Sequence, residues 1–263
     1  MLSKLIKYDI KRIAKFLLVF YVLAIFSAIL TRLLFMVNNS FIIGILAQIC
    51  SGFTCAMIAN ILINTLMRQW VKFKSTLYDD ESYLTHTLPV EKSSIYMSKI
   101  IVSIGSIIIS VLVIFLTLFI AYYSKENIEV LKNTLLPIAN LYNSSLIRVV
   151  LIFIAAFMVE TLCILQSGYT GIILGHKMNN NKILFSIVYG LLVYIFTQVF
   201  ALGLVFILGL FNDNLMNLFI TNEVLNFDTI RIVGYLCIFI YFIIFIGNLF
   251  INIRLFMNGV DVD

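Results

Sequence analysis

Proline occurs only twice in 263 residues, and charged side chains make up only 12% of them. A soluble domain carries about twice that charge fraction. No long polar or low-complexity stretch compensates, so the chain has no room for a folded extramembrane domain of its own. Histidine is equally scarce. His86 and His176 lie in or beside loops, which leaves no His/Glu pair on facing apolar segments for intramembrane catalysis. The four cysteines, Cys50, Cys55, Cys163 and Cys237, all fall in apolar segments, without CxxC or Cys/His spacing. They read as small apolar residues rather than metal ligands or redox groups. No GxxxxGK[ST] run occurs, so the chain has no P-loop of its own for ATP. Neither a catalytic site, a metal site nor a cofactor is expected.

Apolar length is what the sequence has in abundance: 62% of its residues are hydrophobic. A helix needs about 20 mostly apolar residues to cross the hydrocarbon core. Six segments qualify, at 16–37, 41–67, 100–123, 149–174, 183–211 and 232–253. The expected fold is all-α, a polytopic membrane protein with six transmembrane helices in one domain spanning residues 16–263. No internal repeat is visible, although two-half symmetry is common among secondary transporters. A basic stretch before the first apolar run resembles a secretory signal, but the run is too long and lacks a small-residue cleavage site, so it reads as an uncleaved span.

The positions of Lys and Arg orient the bundle. Lys4, Lys7, Lys11, Arg12 and Lys15 precede the first span, and Arg68, Lys72, Lys74, Lys92 and Lys99 occupy the loop after the second. Lys177, Lys182 and Arg254 share that side; Arg32, Lys125, Lys132, Arg148 and Arg231 lie on the other. The positive-inside bias places both termini in the cytoplasm. The net charge of +5 thus belongs to the lipid bilayer, not to nucleic acid. Within residues 1–15, Leu2, Leu5, Ile6, Ile10 and Ile13 recur near helical spacing, opposite a lysine face. The pattern predicts an amphipathic interfacial helix on the inner leaflet, or else an extended basic flank. The external segments, 124–148 and 212–231, differ: the first is polar and holds Pro137, the second holds an amphipathic stretch over residues 215–220. Sequons at Asn38 and Asn143 matter only in a glycosylating compartment.

The cytoplasmic loop 68–99 carries the most pattern. Trp70, Phe73 and Leu77 are spaced to share one helical stripe. The acidic cluster Asp79, Asp80 and Glu81 follows, then Leu88 and Pro89 break the chain, and Glu91 stands near the start of the next helix, where the macrodipole favours a negative side chain. A short helix parallel to the membrane, a turn and a defined re-entry are expected there.

Residues 83–90, Tyr-Leu-Thr-His-Thr-Leu-Pro-Val, with Ser98 and Lys99 in the following helix, resemble the "GYL…TLPV…SK" stretch of bacterial ABC exporter permeases of the type 2 class. The opening Leu2-Ser3-Lys4-Leu5-Ile6-Lys7-Tyr8-Asp9 is similar to the basic "LxKLxKYE" start of the same permeases, and the six-span layout agrees. Ser82 stands where the family often has Gly, and Glu91 where it often has a Ser cap. The resemblance implies a permease subunit in the bacterial inner or plasma membrane, paired with a separate ABC ATPase subunit and a second permease chain, identical or related. It further implies that Trp70–Glu81 is the helix contacting the ATPase and that Leu88-Pro89 is the hinge into the third span. Peptide or antimicrobial export is the expectation by analogy.

Glu160 is the one carboxylate in the middle of a span. Its insertion costs roughly 2.5–3.5 kcal/mol, against about 4–8 kcal/mol from the Leu, Ile, Phe and Val of the same span. The span inserts, with Glu160 directed away from lipid. Ala156, Glu160, Cys163, Ser167, Gly171 and Gly175 form a small and polar stripe, and the second span has Gln48, Gly52, Ala56, Asn60 and Asn64. Such stripes suit a dimer interface, a translocation path or plain helix packing at Gly171 and Gly175. The competing reading is an ATP-independent transporter or channel that uses Glu160 as an ion or proton relay.

Overall fold

The computed structural model describes the chain except residues 1, 38–39, 80, 88, 213–214, 217–218, 220–226 and 259–263, with backbone alone at 2, 86 and 227–230. Asn38, Asp80 and Leu88 therefore lie outside the described residues. The elements are helices: α1 (Leu2–Met36), α2 (Phe41–Leu77), α3 (Ser82–His86), α4 (Lys92–Tyr122), α5 (Lys125–Leu141), α6 (Leu146–Gly175), α7 (Lys182–Gly209) and α8 (Phe227–Met257). No strand occurs among the described residues. Six of the helices are long and apolar enough to cross a membrane, the six that the apolar runs predict.

Two compact units form, Met1–Glu129 and Val130–Asp263. In the first, α1 and α4 run parallel and α2 packs antiparallel to both, with α3 against the end of α2. Ala24, Met57 and Ile61 pack at the middle of this bundle, and Ile13, Leu17 and Val102 nearer its basic end. At the opposite end Arg32 donates to the carbonyls of Ile120 and Tyr123, closing the last turn of α4 with a cation, as a helix C-terminus favours. In the second unit α6 packs against both α7 and α8 around Cys163, Ala201, Val205, Ile240 and Ile244.

Helix lengths depart from the expected spans. α2 runs unbroken for 37 residues, roughly 55 Å at about 1.5 Å per residue, against a hydrocarbon core of about 30 Å. Its last three turns therefore project beyond the apolar layer, and Trp70, Phe73 and Leu77 sit in that projection rather than in a separate parallel helix. α1 is likewise one 35-residue helix. Residues 2–15 continue straight into the span, with Asp9, Ile13 and Leu17 buried and Ile10 exposed. The polar segment after α4 is helical too, as α5, and Pro137 lies inside that helix. Leu215, Met216 and Phe219 of the 212–231 segment are helical; Asn217, Leu218 and Ile220 lie outside the described residues.

Candidate functional site

In the first unit the projecting ends of α1, α2 and α4 form a stem of charged and polar side chains. Lys99 Nζ donates to Asp9 Oδ2 at 2.7 Å, joining α4 to α1 across 90 positions of sequence. Glu81, just past the end of α2, is held from two directions. Lys72 Nζ donates to its Oε2 at 2.7 Å, and Arg12 donates to its Oε1. Burial alone would raise the Glu81 carboxyl, but the Lys72 ammonium and the Arg12 guanidinium outweigh it and hold the group below its ordinary value. Lys72 is buried while Arg12 is largely open, so the Lys72 bond is the less screened of the two.

From this stem a ladder of neutral hydrogen bonds descends between α2 and α4. Ser103 Oγ donates to Gln69 Oε1 at 3.0 Å, and Gln69 Nε2 donates to Ser106 Oγ at 2.6 Å. One turn on, Ser110 Oγ lies 2.7 Å from both Thr65 Oγ1 and Tyr21 Oη. Thr65, Gln69, Ser103, Ser106 and Ser110 are all buried. Their mutual bonds satisfy groups that burial would otherwise penalise. Hydropathy hides this seam, because each residue is polar on a face that the apolar average discounts.

The loop's expected contact residues divide. Phe73 and Leu77 are buried; Phe73 packs edge-on against Tyr96 of α4 at 6.0 Å between ring centroids. The stripe exists as predicted, but it faces the bundle, and Trp70 is half-buried. Asp79 pairs with Lys74 at 3.2 Å near the surface, and Pro89 is exposed. Glu91 takes the N-cap position of α4, its carboxylate accepting from Ser93 rather than from the helix backbone. What the loop presents outward is α3, where Tyr83 is 74% and Leu84 69% exposed. Two large apolar side chains on so short a helix are not core.

The intramembrane polar residues divide as well. Gln48, Gly52, Ala56 and Asn60 lie on the exposed face of α2, and Asn64 turns back to donate to Asn60 Oδ1 at 3.1 Å. A Cβ at Gly52 would meet nothing within 4 Å. In the second unit the α6 stripe is buried from Cys163 to Gly175 but emerges at Glu160, which is exposed. At about 100° per residue Glu160 falls in the same sector of α6 as Ser167 and Gly171, so its level along the helix, and not its face, leaves it exposed. Gly171 and Gly175 are closed against α7. A Cβ at Gly171 would come within 2.5 Å of Gly190 N, and one at Gly175 within 2.5 Å of Ser186 N. These two glycines set the α6–α7 distance, with Ser186 and Gly190 as partners that single-chain spacing did not reveal.

Deeper toward the α6 C-terminus, Asn252 of α8 donates to Gln166 Oε1 at 3.1 Å and accepts from Thr170 Oγ1 at 2.7 Å. This buried trio locks α8 onto α6. No group of three or more His, Cys, Asp or Glu residues able to hold a metal occurs among the described residues. Compared with protein-family models, curated proteins and solved structures, the chain matches none.

Proposed function

We propose that this chain is the membrane-spanning permease subunit of an ABC exporter, with both termini in the cytoplasm of a bacterial cell and a separate ATPase subunit as its energy source. The observation that carries the reading is α3. Tyr83 and Leu84 stand exposed at the tip of a stem whose other parts are fastened together by Arg12–Glu81–Lys72 and Asp9–Lys99. An exposed apolar pair on a braced support suits a partner that pushes, because force applied at α3 passes to α1 and α2 through Glu81 and on through the α2–α4 seam. Tyr83 and Leu84 at this tip are also the first two residues of the family-like stretch. In this reading the contact element is α3 rather than the buried stripe of Trp70, Phe73 and Leu77. A second permease chain would complete the path, and the exposed amides Gln48 and Asn60 of α2 need cover from protein or water in a bilayer.

Affinity purification of the tagged chain from its native membrane tests this. An ATPase subunit is expected to co-purify, and Tyr83→Ser with Leu84→Ser is expected to release it while leaving the permease in the membrane. A second reading draws on the exposed, mid-span Glu160: an ATP-independent transporter with that carboxylate as relay. It requires pH-dependent flux in vesicles without nucleotide.

A further inference from the structure

Glu160 lies midway along α6 and is exposed there, and no hydrogen bond or ion pair joins it to a described residue. One turn on, Cys163 Sγ donates to the Tyr241 carbonyl at 3.4 Å, which sets α8 beside α6 at this level. Glu160 is within electrostatic reach of both Cys163 and Tyr241. The Tyr241 hydroxyl donates to Gln198 Oε1 of α7, while Gln198 Nε2 is buried and has no acceptor. Three helices of one unit thus bring a carboxylate, a phenol and an amide to the same depth, and the carboxylate has no counter-charge. An ionised carboxylate at mid-membrane does not persist without a partner.

The chain itself does not supply one. Every Lys and Arg stands at or beyond the end of a span: Arg32, Arg68, Lys99, Arg148, Lys182, Arg231 and Arg254 mark those ends. A second copy therefore brings no cation to this depth either, and a soluble ATPase cannot reach it. We propose that Glu160, with Tyr241 and Gln198 beside it, is a lateral intramembrane site for the cationic group of a membrane-dissolved amphiphile, an ammonium on a lipid-like or peptide-like tail. Charge complementarity selects the head group. Access from the side selects a ligand that already partitions into the bilayer, with exposed Phe153 and Phe157 on the same helix offering the tail an apolar surface. As a substrate site it rests on the permease reading; as a binding site it stands by itself.

The test uses the full wild-type chain in lipid nanodiscs, so no variant has to fold. Dicyclohexylcarbodiimide, an apolar reagent for carboxyls within membranes, is added and the Glu160 peptide followed by mass spectrometry, with Glu160→Gln as the control that removes the signal. Dodecylammonium is expected to slow labelling of Glu160 about tenfold once it exceeds its dissociation constant by about the same factor. Dodecanol, with the same tail and no charge, is expected to leave the rate unchanged. Equal protection by both, or protection by neither, overturns the proposal. So does a Glu160 that is shielded without ligand by a co-purified transmembrane chain, which would make a protein cation the occupant. Failure here with an ATPase still co-purifying refutes the site alone; protection without any ATPase refutes the permease reading alone.

Discussion

The Lys99 ammonium donates to the Asp9 carboxylate at 2.7 Å, and both side chains are all but sealed from solvent. A buried pair of this kind adds little net stability, because desolvation offsets the attraction, yet removing one partner strands the other charge. Asp9→Asn and Lys99→Met are each expected to cost about 3–5 kcal/mol, read as a lowered unfolding midpoint in detergent. The double replacement Asp9→Asn with Lys99→Met is expected to cost much less than the two single losses together. Losses that simply add would contradict direct pairing.

Glu81 supplies a pH dependence with a definite sign. Its carboxyl is held below the ordinary value in the folded state, so its bonds contribute fully above the unfolded value of about 4.3 and fade as pH falls through the lower folded value. Wild type is expected to be more stable than Glu81→Gln at pH 7, with the gap closing below pH of about 4. Thermal unfolding across pH checks this. Arg12→Ala should cost under about 1 kcal/mol, since that arm is exposed; Lys72→Ala should cost more.

Much of this was readable from residues alone, and the misses share one cause. Apolar runs sum along a helix, so the six spans are legible. Helix ends are not, because a charged residue marks where an apolar run stops and not where the helix stops. In α1 and α2 the helix continues past Lys15 and Arg68, since Asp9, Lys72 and Glu81 find partners on other elements. Those partners are distant in sequence, and no periodicity in one segment reveals them. The spacing of Trp70, Phe73 and Leu77 puts them on one stripe, but a stripe does not say whether it faces a partner or the chain's own core. Glu160 was found by type and position, whereas its companions Gln198 and Tyr241 come from two other helices.

The glycines offer a sharper contrast. Gly171→Ala and Gly175→Ala each place a Cβ within 2.5 Å of α7 backbone, so helices must separate. Each is expected to lower the unfolding midpoint by an amount comparable to a core defect, about 1–3 kcal/mol. Gly52→Ala meets open space and should leave the isolated chain unchanged. If Gly52→Ala instead weakens self-association, measured by cross-linking in membranes, the exposed α2 face is a contact with a second copy of this chain.

Coupling through α3 to an ATPase is tested most directly by ATP hydrolysis in the complex purified on this chain from its native membrane. The expected result is a co-purified nucleotide-hydrolysing subunit whose retention is lost when Tyr83 and Leu84 are both replaced by Ser, with the chain still inserted. A chain that purifies with no ATPase, and that moves solute without nucleotide, would contradict it.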